Sequence, residues 1–522
     1  MVTPRLRSMG EGAVLAEVDD LAGVLALHAA LAADPPEGIE DLVPAARTVL
    51  VAFDPARITV AAVHAWIRSA AGSPAAESPP GPLVEVPLRY DGPDLDDTAE
   101  ALGIRSPELI ARHAAARWRV AFTGFAPGFA YLVSAEWAFE VPRLAQPRTR
   151  VPAGSVGLAG EFTGAYPRET PGGWRLIGTT DAALFAPDAI DPVLLPPGAR
   201  VRFVPERAAV AAAAPVASAS RHELGRTARA DAAPRADAAP ALRILDPGAR
   251  ATVQDLGRPG RAGLGVSRSG ALDRGALRVA NRLVGNAEDA AGVEIVLGGF
   301  RARAERDVWV AVTGALADIR VDGWAQDAYA PLLLSAGAEL SVGVARAGAR
   351  LVLAVRGGIV APLSFGSRST DTLASLGPAA LRPGDVPRAG AAVAPVPVVD
   401  VFPWSVPAPA IDVPVTPGPR ADWFTPAALR VLRDATWTVT GDADRVGIRL
   451  DGPALDRSRP DELPSEGMRP GALQVPPHGR PVVLLADGPV TGGYPVIAVV
   501  TDAALDRLAQ LRPGDRVRFR GR

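Results

Sequence analysis

Apolar and polar residues along this chain alternate in short runs, broken at close intervals by glycine and proline. AVLAEV at residues 13–18 reads as a strand. DLAGVLALHAALAA at 20–33 has apolar residues at helical spacing behind Asp20, a suitable N-cap. RTVLVAFDP at 47–55 is a second strand, and DPARITVAAVHAWIRSA at 54–70 a second helix. Residues 1–82 are therefore expected to form a small α/β domain, ending in the loop AGSPAAESPPGP. His28 and His64 lie within its helices and read as packing or surface histidines. From 83 to 205 the pattern changes to one helical stretch at 94–116 among many short strands, as in a β-barrel domain.

Residues 206–241 are Ala/Pro/Arg/Ser low complexity with little to bury, and read as a linker that also carries a solvated His222. Residues 242–522 return to short strands, and a Pro-rich passage at 383–419 divides them into two lobes. A weak internal repeat connects the halves. TPGGWRLIGTTDAALFAPDAIDPVLLPPGARVRF at 170–203 and VTGGYPVIAVVTDAALDRLAQLRPGDRVRF at 490–519 keep the same order of elements. They share a glycine-rich turn, an apolar strand, Asp-Ala-Ala-Leu, and a final Pro-Gly-x-Arg-Val-Arg-Phe. One fold unit used twice is the natural reading.

Composition narrows the function classes. Gly (53) and Pro (52) make up a fifth of 522 residues, against a usual share of roughly 12%, which favours strands and turns. The 55 basic and 57 acidic residues leave a net charge of −2, so no basic excess exists to neutralise a nucleic-acid backbone. Every basic residue is Arg, and Cys is absent. This excludes a Schiff-base or Walker-A lysine, covalent biotin on this chain, disulfides and a thiol nucleophile. The five histidines are scattered and no metal site is expected. No signal peptide or apolar run of membrane length is evident, so a soluble, cytoplasmic protein without a membrane role is expected.

The candidate chemistry lies in glycine-rich clusters. FTGFAPGFAYL contributes Phe125 and Gly128, and VPAGSVGLAGEFTGAYPRETPGGW contributes Ser155, Thr163, Tyr166, Gly172 and Gly173. Such loops expose backbone N–H groups that suit anions, or they are tight hairpins. His113 is the histidine next to them and a candidate general base. In the second half Gln254, Asp255 and Arg258 precede a glycine-rich loop with Ser269, and Asp273 suits an N-cap. Arg356, then Ser367, Arg368, Ser369, Thr370 and Asp371, offer guanidinium and hydroxyl donors for phosphate or carboxylate, unless Asp371 simply pairs with Arg368. Glu466, Gln474, Thr491, Gly493 and Tyr494 complete the set in the last lobe. No standard catalytic signature is present.

In this order the motifs resemble two families. The first half is similar to the B component of bacterial 5-oxoprolinase, whose relatives include a sporulation kinase inhibitor and allophanate hydrolase subunit 1. TVQDLGRPG, SGALDRGALRVANRLVGN, GSRSTD, SEGMRPGALQVPP and ADGPVTGGYP resemble the C component, also called allophanate hydrolase subunit 2 or biotin-dependent carboxyltransferase. The resemblance implies a mainly β fusion with α+β parts, in which the small α/β domain is followed by two cyclophilin-like β-barrel units. It implies ATP-dependent opening of 5-oxo-L-proline to L-glutamate with Mg-ATP and a separate 5-oxoprolinase A component. On the residues' own chemistry, Arg356 and Arg368 as anion clamps and His113 as general base are the catalytic candidates. The ligand is expected between the halves; homo-oligomerisation is left open. Phe162 stands where relatives often carry Gln, which puts a ligand contact there in question. The chemistry suits the residues: phosphorylating a lactam oxygen makes it attackable by water and calls for anion clamps more than a covalent nucleophile. A carboxyltransferase receiving biotin on another chain, and a regulatory binder of a histidine kinase, are the alternatives.

The linker reading has a direct check. Limited proteolysis is expected to cut within 206–241 and leave two fragments that co-elute; protection of that stretch would count against it.

Overall fold

In a computed structural model, residues 3–72, 81–146, 148–187, 189, 191–206, 238–399, 401–459 and 461–522 are described. Most of the expected linker, 207–237, lies outside the described residues. Its last residues join the second half: Ala239–Pro240 pairs with Arg388–Ala389, and Ala238 and Ala241 are buried.

The N-terminal domain is a four-stranded antiparallel sheet in the order Arg5–Ser8, Ala13–Glu17, Thr48–Phe53, Ile39–Pro44. Helices Leu21–Ala33 and Val60–Ala71 cover one face. The Asp20 carboxylate accepts from the Gly23 N–H at 2.7 Å, so the expected cap is made. The apolar runs of the central strands have a physical cause, because both sheet faces are buried. Val14, Ala16, Val49 and Val51 face the helices, while Ala13, Leu15 and Leu50 pack on Met468, Ala472 and Leu484 of the last lobe.

The first barrel is a seven-stranded sheet in the order Arg175–Thr179, Ser155–Ala159, Phe162–Ala165, Ala130–Val133, Trp118–Thr123, Arg200–Pro205, Leu83–Leu88. The Arg89–Thr179 bridge brings its edges together. The helical stretch expected at 94–116 is two helices, Leu95–Ala101 and Ser106–Ala115. Gly103 at φ +69° turns the chain between them, a conformation that L side chains rarely adopt.

The second half opens with two five-stranded sheets enclosing a core from Leu242 to Ala389. Helix Arg274–Leu283 lies on strands Val308–Leu316 and Ala347–Val355, capped by Asp273, whose carboxylate accepts from the Ala276 N–H at 2.8 Å. The last lobe is a closed barrel in the order Ala410–Pro417, Val496–Val500, Ala472–Gln474, Val482–Leu484, Gly447–Asp451, Trp437–Val439, Arg516–Gly521.

The repeat is structural. In each barrel the final Arg-Val-Arg-Phe strand pairs parallel with the first strand and antiparallel with one that begins in Trp. Both tryptophans are fully buried just after a helix and donate their indole N–H to a carbonyl near its end, Trp118 to His113 at 2.9 Å and Trp437 to Leu432 at 3.2 Å. The repeats part at Asp-Ala-Ala-Leu. Asp502–Leu508 is a helix, whereas residues 181–184 are irregular. Pro187 follows closely in the first copy and withholds a helical donor, while Asp506, Arg507 and Leu508 continue the second. Among the described residues no helix is long and apolar enough to cross a membrane.

Trp437→Ala is expected to lower stability by about 3–5 kcal/mol, read from denaturant midpoints. A change below ~1 kcal/mol would show that the buried indole is not a keystone of the barrel.

Candidate functional site

The halves meet along a seam assembled by side chains of one half on backbone of the other. The Asp41 carboxylate, on strand Ile39–Pro44, accepts from the Gly260 and Ala262 N–H groups at 3.0 and 2.9 Å. The Thr123 hydroxyl donates to the Gly263 carbonyl at 2.6 Å. Phe125, at φ +61°, donates its N–H to Thr491 Oγ1 at 2.7 Å. Arg168 donates to the carbonyls of Leu373 and Ala374, and the Phe185 ring stacks at 6.3 Å on Phe365. The glycine-rich loops expected to face one another do so at these points.

Behind the seam the second half is organised by buried charge. Asp255 Oδ1 accepts from the hydroxyls of Ser367 (2.6 Å) and Ser369 (2.5 Å) and from the Gly257 N–H (2.8 Å). Its Oδ2 accepts from the Arg368 N–H at 2.6 Å. Asp371 accepts from the Ser267 hydroxyl at 2.5 Å and lies 3.6 Å from Arg258, whose guanidinium also donates to the Ser369 carbonyl. Ser269 donates to Asp487 at 2.7 Å, and Gln254 to the Thr370 carbonyl at 2.9 Å. Arg445 then joins Asp487 (2.9 Å), Glu294 (2.7 Å) and the Gly270 carbonyl (2.6 Å). Burial works against charge on Arg445, but Asp487 and Glu294 outweigh it and hold its pKa above the ordinary value. Burial likewise opposes the Asp487 carboxylate, and Arg445 outweighs it, so that pKa is lowered.

Most second-half candidates are therefore framework. Gln254, Asp255, Arg258, Ser269, Ser367, Ser369, Thr370 and Asp371 are buried and shape the loops from within. Arg356 is not at the seam; it donates to the Val284 and Ala394 carbonyls at 2.8 and 2.6 Å and ties a helix end to the Pro-rich passage. Asp371 pairs with Arg258 and not with Arg368, which leaves the Arg368 Nε buried with no partner. Glu466 receives Arg420, which also reaches Glu17 of the N-terminal domain at 2.8 Å. Gln474 meets the Met468 sulfur at 3.3 Å, Gly493 lies near Arg143, and Tyr494 is exposed.

In the first half, His113 is a core histidine and not a placed general base. It is fully buried, with Nδ1 2.8 Å from the Tyr90 hydroxyl and Nε2 2.9 Å from that of Thr163. Trp118, Trp137 and Phe203 surround its ring, and burial drives its pKa down to about 3. Ser155 and Tyr166 are buried strand and turn residues, and Gly172 lets the chain pass the Tyr166 hydroxyl, where a Cβ would come within 2.5 Å. Gly173 accepts from the Leu144 N–H at 2.9 Å. Gly128, at φ +81°, allows close approach to Phe185. Phe162 packs edge-on against Phe122 and Tyr131 in an aromatic cluster. The residues missed by sequence reasoning are Arg445, Asp487 and Glu294, and at the seam Arg268 and Arg469. Glu294, Asp487, Arg268 and Arg469 stand as single charges in apolar or glycine-rich runs and Arg445 directly follows Asp444, but nothing local indicates their distant partners. Size does not select the site either: a cavity of about 380 Å³ lies beside Tyr329, Phe402 and Trp404 in the middle lobe and contains none of the candidates.

Fold and seam define a two-half protein built from carboxyltransferase subdomains. Residues 264–521 match the carboxyltransferase domain, subdomains A and B, and residues 4–195 match its subdomains C and D. The C component of 5-oxoprolinase from Haemophilus influenzae is 36% identical over 287 residues, covering 53% of this chain and 89% of that protein. The B component of 5-oxoprolinase from Escherichia coli O157:H7 is 45% identical over 135 residues, 25% of this chain and 62% of that protein. Urea amidolyase of Lachancea kluyveri is 32% identical over 311 residues, 53% of this chain but 17% of that enzyme. The crystal structure of TTHA0988 matches all of both chains at 35% identity with a TM-score of 0.83. The chain belongs to the biotin-dependent carboxyltransferase family and joins a half like the 5-oxoprolinase B component to a half like the C component.

The placement of His113 predicts an acid signature. Its folded pKa is depressed, so below pH 6.5 the unfolded chain takes up a proton that the folded chain refuses. Stability is therefore unaffected by His113 above pH 6.5 and falls by about 1.4 kcal/mol per pH unit towards pH 3. His113→Gln should flatten this slope in pH-dependent unfolding; an unchanged slope would contradict the assignment.

Proposed function

We propose that this chain is the B–C component of an ATP-dependent 5-oxoprolinase, which activates 5-oxo-L-proline for hydrolysis to L-glutamate together with a separate homologue of the 5-oxoprolinase A component. The observation that carries the reading is the joining of a B-like and a C-like half in one polypeptide, the second covering most of its relative's length. Mg-ATP would supply the phosphoryl group, with the magnesium ion entering as the nucleotide complex. The Nε atoms of Arg368 and of Arg268, the latter at the seam, are buried without an acceptor, which suits an anion. In this reading Arg368 holds developing negative charge, the loop at Phe125 and Thr491 orients the substrate, and the packed halves exclude water that would waste an activated lactam. The chain works in solution with its partner, in the cytoplasm.

A second reading is a carboxyltransferase, favoured by the similarity of the second half to urea amidolyase. With no Lys in this chain, biotin would arrive on another protein. One experiment separates the two: glutamate release and ATP hydrolysis measured with 5-oxoproline and Mg-ATP, with and without the A component. We expect coupled glutamate only with the partner, and an Arg368→Ala chain with at least about tenfold lower turnover, or 1.4 kcal/mol, at native melting temperature. Full coupled turnover by the isolated chain, or activity that requires biotin and bicarbonate, would overturn the reading. A lowered melting temperature with normal specific activity would remove Arg368 from it.

A further inference from the structure

Arg268 and Arg469, far apart in sequence, come together where three units meet. Two adjoining cavities of about 60 and 70 Å³ share walls formed by Arg268, Arg469, Pro470, Leu485 and Ala486. The N-terminal domain adds Glu40 and Asp41 on one side, and Leu505 of the last lobe closes the other.

The arginines are under-used. A guanidinium carries five N–H donors. Among the described residues, Arg469 makes one hydrogen bond, from Nη1 to the Met9 carbonyl at 3.3 Å. Arg268 reaches Glu40 at 3.2 Å through Nη1, while its Nε is buried without an acceptor. The nearby carboxylates are already engaged: Asp41 by the Gly260 and Ala262 N–H groups, Asp502 by Arg274 at 3.0 Å, and Glu40 by Arg268. Both side chains are half-buried, so a bound anion recovers the part of the desolvation cost that their present partners leave. Burial lowers the Arg469 pKa despite the nearby charges of Asp502 and Glu40, in keeping with a cation short of partners.

Size and lining narrow the anion. Space of about 10–15 Å³ of this kind admits one water molecule, so each cavity has room for a small polar group such as a carboxylate. Pro470, Leu485 and Leu505 offer an apolar surface to whatever carries that group. We propose that this junction is a binding site for a small carboxylate, clamped by Arg469 and the Arg268 Nε, with its short apolar body against Pro470 and Leu485. The site rests on this geometry and does not require the reaction proposed above. Because its walls come from three units, occupancy would also bind the N-terminal domain to the second half.

The test is calorimetric titration of the full chain with acetate, 5-oxo-L-proline and inorganic phosphate, without ATP or partner. We expect the two carboxylates to bind, and Arg469→Met to weaken them about 10- to 100-fold while melting no lower than the native chain. If Arg469→Met does not fold, Arg469→Lys, which keeps the charge and loses the fork, should fold and bind more weakly; Arg268→Gln should weaken binding too. Native affinity in the Arg469 and Arg268 variants, preference for phosphate, or failure of either carboxylate to bind the native chain overturns the site. Carboxylate binding lost in Arg469→Met, in a chain that shows no 5-oxoproline-dependent turnover with the A component, keeps the site and removes the reaction. Normal turnover together with native carboxylate affinity in Arg469→Met removes the site and keeps the reaction.

Discussion

The second half is held together at one buried guanidinium. Arg445 sits in the last lobe, yet it grips Glu294 in the sandwich, the carbonyl of Gly270 in the glycine-rich loop, and Asp487 in its own lobe. An isolated charge in that position would be expelled; with two carboxylates and a carbonyl around it, the same charge fixes three segments in one orientation. Asp487 passes the constraint on, accepting from Ser269 at 2.7 Å and from the Thr372 N–H and hydroxyl at 2.8 Å. Through Ser269 and Thr372 the seam loops inherit their shape from a charge that never reaches solvent. Such a network contributes more to specifying one arrangement than to net stability, since desolvation offsets much of the attraction.

The N-terminal sheet extends this arrangement to the first half. A sheet with helices on one face and solvent on the other would show alternating polar residues. Here the second face is covered by the opposite half, so its central strands are apolar on both sides and the domain cannot be removed without exposing Leu15 and Leu50. Arg420 reinforces the contact by bridging Glu466 and Glu17. The seam is thus a packed boundary with a few directed hydrogen bonds.

Local features were legible in the sequence, and long-range pairings were not. Asp20 and Asp273 cap the helices that follow them, because capping is settled within three residues. The repeat announced two related barrels, because Trp118 and Trp437, and the two Arg-Val-Arg-Phe strands, have matching surroundings. Strands Arg5–Ser8 and Ile39–Pro44 were missed because they are short and acquire their role only by pairing with the apolar strands beside them. Arg258 and Asp371, or Arg445 and Glu294, lie more than a hundred residues apart, and nothing local tells which acid a given arginine will meet. The glycine-rich clusters correctly marked the seam, but hydroxyls and carboxylates inside such loops most often bond the loop itself, as Asp255 does with Ser367 and Ser369. His113 was chosen for its neighbourhood in sequence, while its surroundings in space are aromatic.

The parallel pairing of first and last strands sets the direction in which each barrel is threaded. Leu83 lies beside Arg200 and Leu88 beside Pro205, so the chain enters at one end of the sheet edge and leaves at the other. Ala410–Pro417 and Arg516–Gly521 repeat this geometry. An antiparallel closure would return the chain to its starting point, as in a hairpin. A parallel one makes the barrel a through-passage, carrying the polypeptide forward by about 20 Å per six-residue strand. Units before and after such a barrel are delivered to opposite ends without a long connection. In the last lobe the exit brings Arg522 to Glu11 of the N-terminal domain, so the path of the chain closes into a ring of domains.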